Sequence, residues 1–263
     1  MFSTPTLTQL LQDLAATQSS ASTQSPAAIQ STTAIQSLAA GHSKAFSREQ
    51  REAILSSYQL DKIYHMTHIK NLSSILSRGI LAHGNRYQSA DISNQDVNQR
   101  RAKREPVYGR RLHEYTPFYF TAKNMMMFFV QNEFPDEVVV LEIDAQALVD
   151  AKQALVTDIN AAKGAAQFYP WERGLAAVNF DLIRSSQKYR QDSAFQAEAL
   201  IFGTVAPSYI SSIAVNSEEQ LEEVKAIAPK SLKVYEDLRG QHFFSLNAGP
   251  RPFSRRFSSR RRR

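Results

Sequence analysis

Ala194-Phe195-Gln196-Ala197-Glu198-Ala199-Leu200-Ile201-Phe202 is an apolar run with a carboxylate set inside it. Side chains alternate along a strand, so period two predicts Gln196 and Glu198 on one face and Ala197, Ala199 and Ile201 on the other. A carboxylate at the start of a buried strand is costly unless it is partnered or opens onto a cleft. Edge strands often carry such residues, so the run gains meaning from what precedes it. Upstream stand Tyr64-His65-Met66-Thr67-His68 and the pair Arg100-Arg101.

Around this run the chain alternates short strands with helices. Ser47-Arg48-Glu49-Gln50 has the pattern of a capping box and predicts a helix to about Tyr58. Lys62 to Met66 reads as a strand, with Thr67 as the cap of a helix that carries Ile69, Leu72, Ile75 and Leu76 and stops at Gly79. The Arg-rich segment is expected to begin as helix and pass into loop at Pro106. Further strands are expected over 116–121, 137–143, 197–203, 210–215 and 232–236. Helices are expected near Asn124, around 171–177 and 181–186, and over 217–227. The predicted fold class is α+β, one domain over residues 46–245. Residues 1–45 are rich in Ser, Thr, Gln and Ala, with Thr17-Gln18-Ser19 repeated at Thr23-Gln24-Ser25, and are expected to be a disordered arm. Residues 246–263 read as a flexible Arg-rich tail.

The net charge of +6 conceals an uneven distribution. Arg251, Arg255, Arg256 and Arg260 to Arg263 are seven cations with no acid among them; removing those seven from +6 leaves −1 for residues 1–250. A second basic element, Arg100, Arg101, Lys103, Arg104, Arg110 and Arg111, is opposed only by Glu105. Two local basic elements on a near-neutral body suit a polyanion approaching a defined place, although solvated loops look the same from charge alone. Cysteine is absent, which excludes disulfides, thiolate metal sites and thiol catalysis and suits a cytoplasmic location. No apolar run has the length of a membrane span and no signal-peptide pattern opens the chain, so no membrane partner is expected.

Several side chains are candidates for chemistry. His65 sits on strand backbone, where its ring can donate to a ribose hydroxyl or hold a substrate amide; a lone His is more often a satisfied half-buried side chain. His65, His68 and His83 lack the spacing and the acidic companion of a metal set, so no metal is expected. Arg100-Arg101 can grip phosphate, and Glu198 can accept from a sugar hydroxyl, take a proton or stabilise an oxocarbenium ion; a structural ion pair is the plain alternative. Neither a dinucleotide fingerprint nor a P-loop is present, so a bound nucleotide needs another kind of fold. Of Tyr115, Phe118, Tyr119 and Phe120, most belong to the core and one ring is available to stack on nicotinamide or a base. Met125-Met126-Met127-Phe128 reads as core packing.

Taken together, Ile63 to Leu72 with Ser74-Ile75-Leu76 and Gly79, then Gln99-Arg100-Arg101, then Leu112 to Phe120, then Gln196-Ala197-Glu198 resemble the DarT family in order and spacing over about residues 62–236. Members of that family are bacterial toxins that attach ADP-ribose to bases of single-stranded DNA. The resemblance implies an ADP-ribosyltransferase-like fold, a split mixed β core with surrounding helices, that holds NAD as co-substrate. It implies that His65, Met66 and Thr67 hold the nicotinamide and its ribose, that Asn71, Ser74 and Leu81 line the nucleotide site, that Arg101 approaches the phosphates and the reacting base, with Arg100 as the alternative, and that Glu198 is the catalytic carboxylate. Tyr189, Arg190 and Gln191 would read the target base. Glu114, Lys123-Asn124-Met125 and Ala199 depart from the family's usual residues, which leaves thymine and guanine both open as targets. A macrodomain antitoxin, DarG-like, follows as a partner by analogy. Two other readings stand beside this one: a transferase acting on protein or RNA, and a catalytically silent nucleic-acid-binding protein.

Overall fold

The computed structural model describes residues 45–83, 87, 89–92, 99–185 and 192–245. The expected arm over 1–44, the tail over 246–263 and the base-reading residues Tyr189, Arg190 and Gln191 lie outside them. The first helix, α1 (Arg48–Ser57), has both halves of the capping box: Ser47 accepts from the Gln50 backbone, and Gln50 accepts from the Ser47 backbone. Strand β1 (Lys62–His68) runs two residues beyond the expected end. Thr67 therefore caps nothing. It is paired opposite Val139, and the cap passes to His68, whose side chain accepts from Lys70 N before the 3-10 turn Ile69–Asn71 and helix α2 (Leu72–Arg78). Strand pairing overrides the local capping preference of a threonine.

Gly79 ends α2 at φ +91°, and a Cβ there would lie 2.3 Å from the Val205 carbonyl oxygen. The close approach is required because Ile80 and Val205 exchange two backbone hydrogen bonds, at 2.8 and 3.0 Å.

The remaining strands are β2 (Tyr115–Tyr119), β3 (Val138–Asp144), β4 (Ala154–Thr157), β5 (Phe168–Pro170), β6 (Glu198–Phe202), β7 (Ile210–Val215) and β8 (Lys233–Glu236). They form one sheet in the order β5-β4-β6-β2-β1-β3-β7-β8. Every neighbouring pair is antiparallel except β7 and β8, which are parallel through helix α7 (Glu218–Ile227). Helices α3 (Met125–Glu133), α4 (Gln146–Asp150), α5 (Trp171–Gly174) and α6 (Phe180–Arg184) complete the set described. The Arg-rich segment turns earlier than expected: Gln99 and Arg100 are helical and Arg101 already begins the turn.

Two observations explain how this sheet makes room for a ligand. First, β1 and β3 share seven registered pairs, whereas β1 and β2 share one, Tyr64 opposite Tyr119. Second, the His65 Nδ1–H donates to the Pro117 carbonyl at 2.9 Å, a side chain standing where a ladder bond would be. In an antiparallel pair both backbone groups of a residue point to the same neighbour, so the missing N–H of Pro117 also faces β1 and leaves the β2–β6 ladder intact. The sheet is pinched at one pair and opens on both sides of it.

Hydrophobic cover follows the same logic. One face is continuous: Ile63, Val139, Leu141, Ile143, Ala199, Ile201, Ile213 and Val215 share a single core with α1, α2 and α6. On the other face Val138, Val140 and Ala214 form one cluster and Tyr115, Leu155 and Leu200 another. Both faces of β3 are thus buried, as its unbroken apolar run requires. The polar centre of the molecule lies in the gap between the two clusters of the second face.

Candidate active site

Glu198 opens β6, an interior strand between β4 and β2, and is fully buried. Gln196 does not share its strand face as the alternation predicts; it closes the 3-10 turn Ser193–Gln196, and β6 starts after Ala197. Glu198 stands in a cross-sheet row. Thr157 on β4 is opposite it on one side and Tyr119 on β2 on the other; Tyr119 faces Tyr64, Tyr64 faces Glu142 on β3, and Glu142 faces Ser212 on β7. Residues directly opposite one another share a face, so these six form one polar line across the second face of the sheet.

The partner of Glu198 is Arg101: Nη1 donates to Oε2 at 2.9 Å, and Ala161 N donates to Oε1 at 3.3 Å. Arg100, one residue earlier, is exposed, so of the two candidate arginines the structure brings Arg101 to the carboxylate. Burial alone would lower the Arg101 pKa, but the Glu198 carboxylate beside it outweighs burial and holds the guanidinium charged, above its ordinary value. Arg101 Nη2 is buried and has no hydrogen-bond partner among the described residues. An unsatisfied guanidinium N–H is costly, and it is a vacant donor for an anionic oxygen. Tyr119 borders the pair; burial, with the Glu198 charge adding to it, pushes its pKa far up, so it stays a neutral phenol.

The loop that carries Arg101 is held by Glu105, which in the sequence alone stands only as a counter-charge to the Arg-rich segment. Glu105 is buried and accepts from the backbone N–H groups of Val107 (2.7 Å), Tyr108 (2.9 Å) and Arg110 (2.8 Å) and from the Tyr115 hydroxyl (3.0 Å). Much of the surrounding basic cluster is likewise spent internally. Arg104 bonds the Gly109 carbonyl, Lys103 bonds the Lys163 carbonyl, and Arg110 bonds Gln153 and stacks 3.8 Å from the Phe202 ring centre. The expectation of a basic patch poised for a polyanion therefore does not extend to those three side chains.

In front of the pair lies a cleft of about 1130 Å³, solvent included, on the side of the pinch where β1 runs on to Thr67 and α2. His65, Met66, Thr67, Asn71, Ser74, Leu81 and Arg101, all expected around the ligand, line it, and Tyr119 joins them. Glu198 does not reach its surface; it lies behind Arg101. His65 is held neutral, since burial lowers its pKa more than the Pro117 carbonyl raises it. With the proton on Nδ1, the ring's remaining nitrogen is an acceptor, which corrects the expectation of a donor to ribose. Asn71 has its amide fully used. Nδ2 donates to Thr67 Oγ1 (3.2 Å) and Ala90 O (2.8 Å), and Oδ1 accepts from Ser89 N (2.8 Å) and Ala90 N (3.0 Å). It holds the 89–90 segment to the cleft wall and has no amide group left over for a ligand.

The methionine run divides three ways rather than packing as a block. Met127 is core, Met126 lines the cleft, and Phe128 and Phe129 are exposed. Among the described residues no group of three His, Asp or Glu side chains could hold a metal ion, and no described helix is long and apolar enough to cross a membrane.

The architecture is an α+β fold with a split mixed sheet and a buried Arg–Glu pair behind an open cleft, and comparison with known proteins makes the assignment specific. Residues 64–244 match the family model described as DarT, ssDNA thymidine ADP-ribosyltransferase, and the chain belongs to that family. The chain is 28% identical over 193 residues to a DNA ADP-ribosyl transferase–DNA ADP-ribosyl glycohydrolase fusion protein of Thermosipho africanus (strain H17ap60334), covering 67% of this chain and 48% of that protein, so it spans about half of the fusion's length. The structure of Thermus sp. 2.9 DarT in complex with ADP-ribosylated ssDNA superposes with a TM-score of 0.61 at 26% identity, covering 70% of this chain and 96% of that one. The same Thermus protein in complex with NAD+ gives 0.58 at 26% identity, with 70% and 98% covered. The fold expected from the sequence, α+β with a split mixed core, is the fold observed.

Proposed function

We infer that the protein is an NAD-dependent ADP-ribosyltransferase that modifies a thymine base in single-stranded DNA, with Arg101 and Glu198 as its catalytic residues. The observation that carries this reading is the Arg101–Glu198 pair with its vacant Nη2 donor at the back of the cleft. The vacant donor suits a diphosphate, because a guanidinium binds phosphate oxygens through parallel N–H groups. Family membership and the NAD+ and ADP-ribosylated ssDNA complexes of the Thermus protein supply the identity of the two substrates.

The chemistry divides between the two side chains. Breaking the bond from ribose to nicotinamide develops positive charge at the anomeric carbon, and a carboxylate is the group that stabilises it. The attacking base nitrogen forms the new bond to that carbon and gives up its proton, for which Glu198 is the acceptor once Arg101 has moved aside. Because Glu198 lies behind Arg101, substrate must draw the guanidinium forward and replace the internal ion pair by contacts to phosphate. The neutral His65, with its acceptor nitrogen, suits the N–H of a carboxamide; Met66, Thr67, Ser74 and Leu81 supply the surrounding wall. A single strand is the fitting acceptor because its bases need no unpairing.

A toxin role with a macrodomain antitoxin is part of the same reading, supported by the fusion relative that joins transferase to glycohydrolase. The sequence supports a cytoplasmic setting and an Arg-rich tail that adds salt-sensitive DNA affinity. The test is transfer of labelled ADP-ribose from NAD to mixed-sequence oligonucleotides, with the modified base read by mass spectrometry. A labelled thymine supports the reading. Label on protein or RNA alone, or transfer that survives Glu198→Ala, overturns it.

A further inference from the structure

The sheet opens on both sides of the Tyr64–Tyr119 pinch, and the site above uses one opening only. On the other side, where β2 has ended and β1 runs back toward Lys62, a second cavity of about 1030 Å³, solvent included, is lined by Lys62, Tyr64, Thr121, Glu142, Arg184 and Gln241, among others. Its chemistry differs from that of the first. Both cations already have partners: Lys62 is paired with Glu142, and Arg184 bonds the carbonyls of Tyr58 and Gln59. A phosphate therefore finds no vacant guanidinium here. The Tyr64 and Thr121 hydroxyls and the Gln241 amide, by contrast, carry no partner among the described residues, and together they present both donors and acceptors. The Tyr64 ring, which packs against His242, borders the cavity, and the Phe180 ring is covered by the Arg184 guanidinium, 4.8 Å from its centre. Mixed, unspent hydrogen-bonding groups suit the edge of a nucleobase.

The position suits one particular base. Tyr64 lies two strands from Glu198, roughly 10 Å at ordinary strand spacing, with Tyr119 between them. A base reacting at Glu198 cannot also fill this cavity, whereas the next nucleotide of the same strand can. Resting on the acceptor reading above, we propose that the second cavity receives the base neighbouring the modified one, and that Tyr64, Thr121 and Gln241 set which neighbour is accepted. Helix α6, whose Ile183 and Arg184 form part of the wall, is the last α-helix before β6 in chain order, so the wall and the strand of Glu198 are close in sequence as well.

The test uses full-length protein and oligonucleotides that keep the target base and vary its neighbours, including an abasic neighbour on either side. Wild type is expected to lose about ten-fold in kcat/KM when the recognised neighbour is abasic, the scale of one or two lost hydrogen bonds. Tyr64→Phe and Thr121→Val should flatten the neighbour preference, with the change falling on the KM for oligonucleotide rather than on the KM for NAD. Gln241 is exposed, so Gln241→Ala tests the same wall without a risk to folding. Transfer to no oligonucleotide at all by wild type would sink the acceptor reading itself. Wild-type transfer that is indifferent to both neighbours, or an unaltered preference in all three variants, would overturn the cavity proposal and leave the enzyme assignment standing.

Discussion

Two glutamates stand on the same face of the same sheet, two strands to either side of one another's tyrosine, and both are buried. Glu142 is saturated. Its Oε1 accepts from the Tyr235 hydroxyl (2.6 Å) and His242 Nε2 (2.9 Å), and its Oε2 from Lys62 Nζ (2.5 Å) and the Ser212 hydroxyl. Burial would raise its pKa, but these donors outweigh burial and hold the carboxyl far below the usual range. Among the described residues Glu198 has one guanidinium N–H and one longer backbone contact, and its arginine keeps a vacant donor. A carboxylate with every lone pair answered is fixed and inert. One whose single strong partner also borders a cleft can exchange that partner for substrate. The difference between the two carboxylates here lies in partners, since both are buried on the same face of the sheet.

The comparison is broken most directly by removing each charge in turn. Glu198→Gln is expected to cost about 10³-fold or more in transfer, with a smaller loss of unfolding free energy than Glu142→Gln, measured by oligonucleotide labelling and by urea denaturation. Arg101→Lys should cost about 10²-fold in transfer, since an ammonium cannot serve carboxylate and phosphate together as a guanidinium fork does. Glu142→Gln should do the reverse. Stability is expected to fall by about 3 kcal/mol, the lower part of the range for breaking a buried ion pair, because Lys62 is partly exposed and screened. Transfer per folded molecule at saturating oligonucleotide should fall far less than in Glu198→Gln. Equal stability losses in Glu198→Gln and Glu142→Gln would remove the distinction drawn between the two carboxylates.

How much of this could be read in the chain is instructive for the same pair. Glu198 was legible because Arg100-Arg101 and the His65 block accompany it in a family-like order; Glu142 was not, although Val138-Val139-Val140-Leu141 marks its strand clearly. A carboxylate's partners come from elsewhere in the chain: Lys62, Ser212, Tyr235 and His242 meet Glu142 only through register. For the same reason the sequence does not single out Tyr119 within its aromatic strand, and shows Glu105 only as a charge opposing the Arg-rich segment. Local signals did hold where the physics is local. Ser47, Asn124 and Ser217 cap the helices expected of them, and Gly79 stops α2. Thr67 failed because a neighbouring strand claimed it. Strands β4 and β5 were missed; they are four and three residues long, too short to show a period.

Acid titration sharpens the contrast further. A group whose folded pKa is depressed contributes stability above its unfolded value and loses it as pH falls through the folded value. For Glu142 that loss begins near the unfolded Glu value of about 4.3 and continues below it. Wild type should therefore lose stability steeply below about pH 4, and Glu142→Gln, starting lower, should lose less over the same interval. Thermal midpoints at a series of acid pH values measure this; parallel curves for the two proteins would show that Glu142 is not the group responsible.

The smallest effect isolates a single donor. Tyr235→Phe removes one hydroxyl from Glu142 and leaves Lys62, Ser212 and His242 in place, so the carboxylate remains buried and answered. The expected cost is about 1 kcal/mol, that of one hydrogen bond to a charged group partly compensated by its neighbours. His242 bonds both Tyr235 and Glu142, so the imidazole should turn fully to the carboxylate when the phenol goes. Redundancy of this kind is what Glu198 lacks: deleting its one strong donor leaves, among the described residues, only the Ala161 N–H. If Tyr235→Phe costs as much as Glu142→Gln, the four donors act as an indivisible unit and saturation is not what separates the two carboxylates.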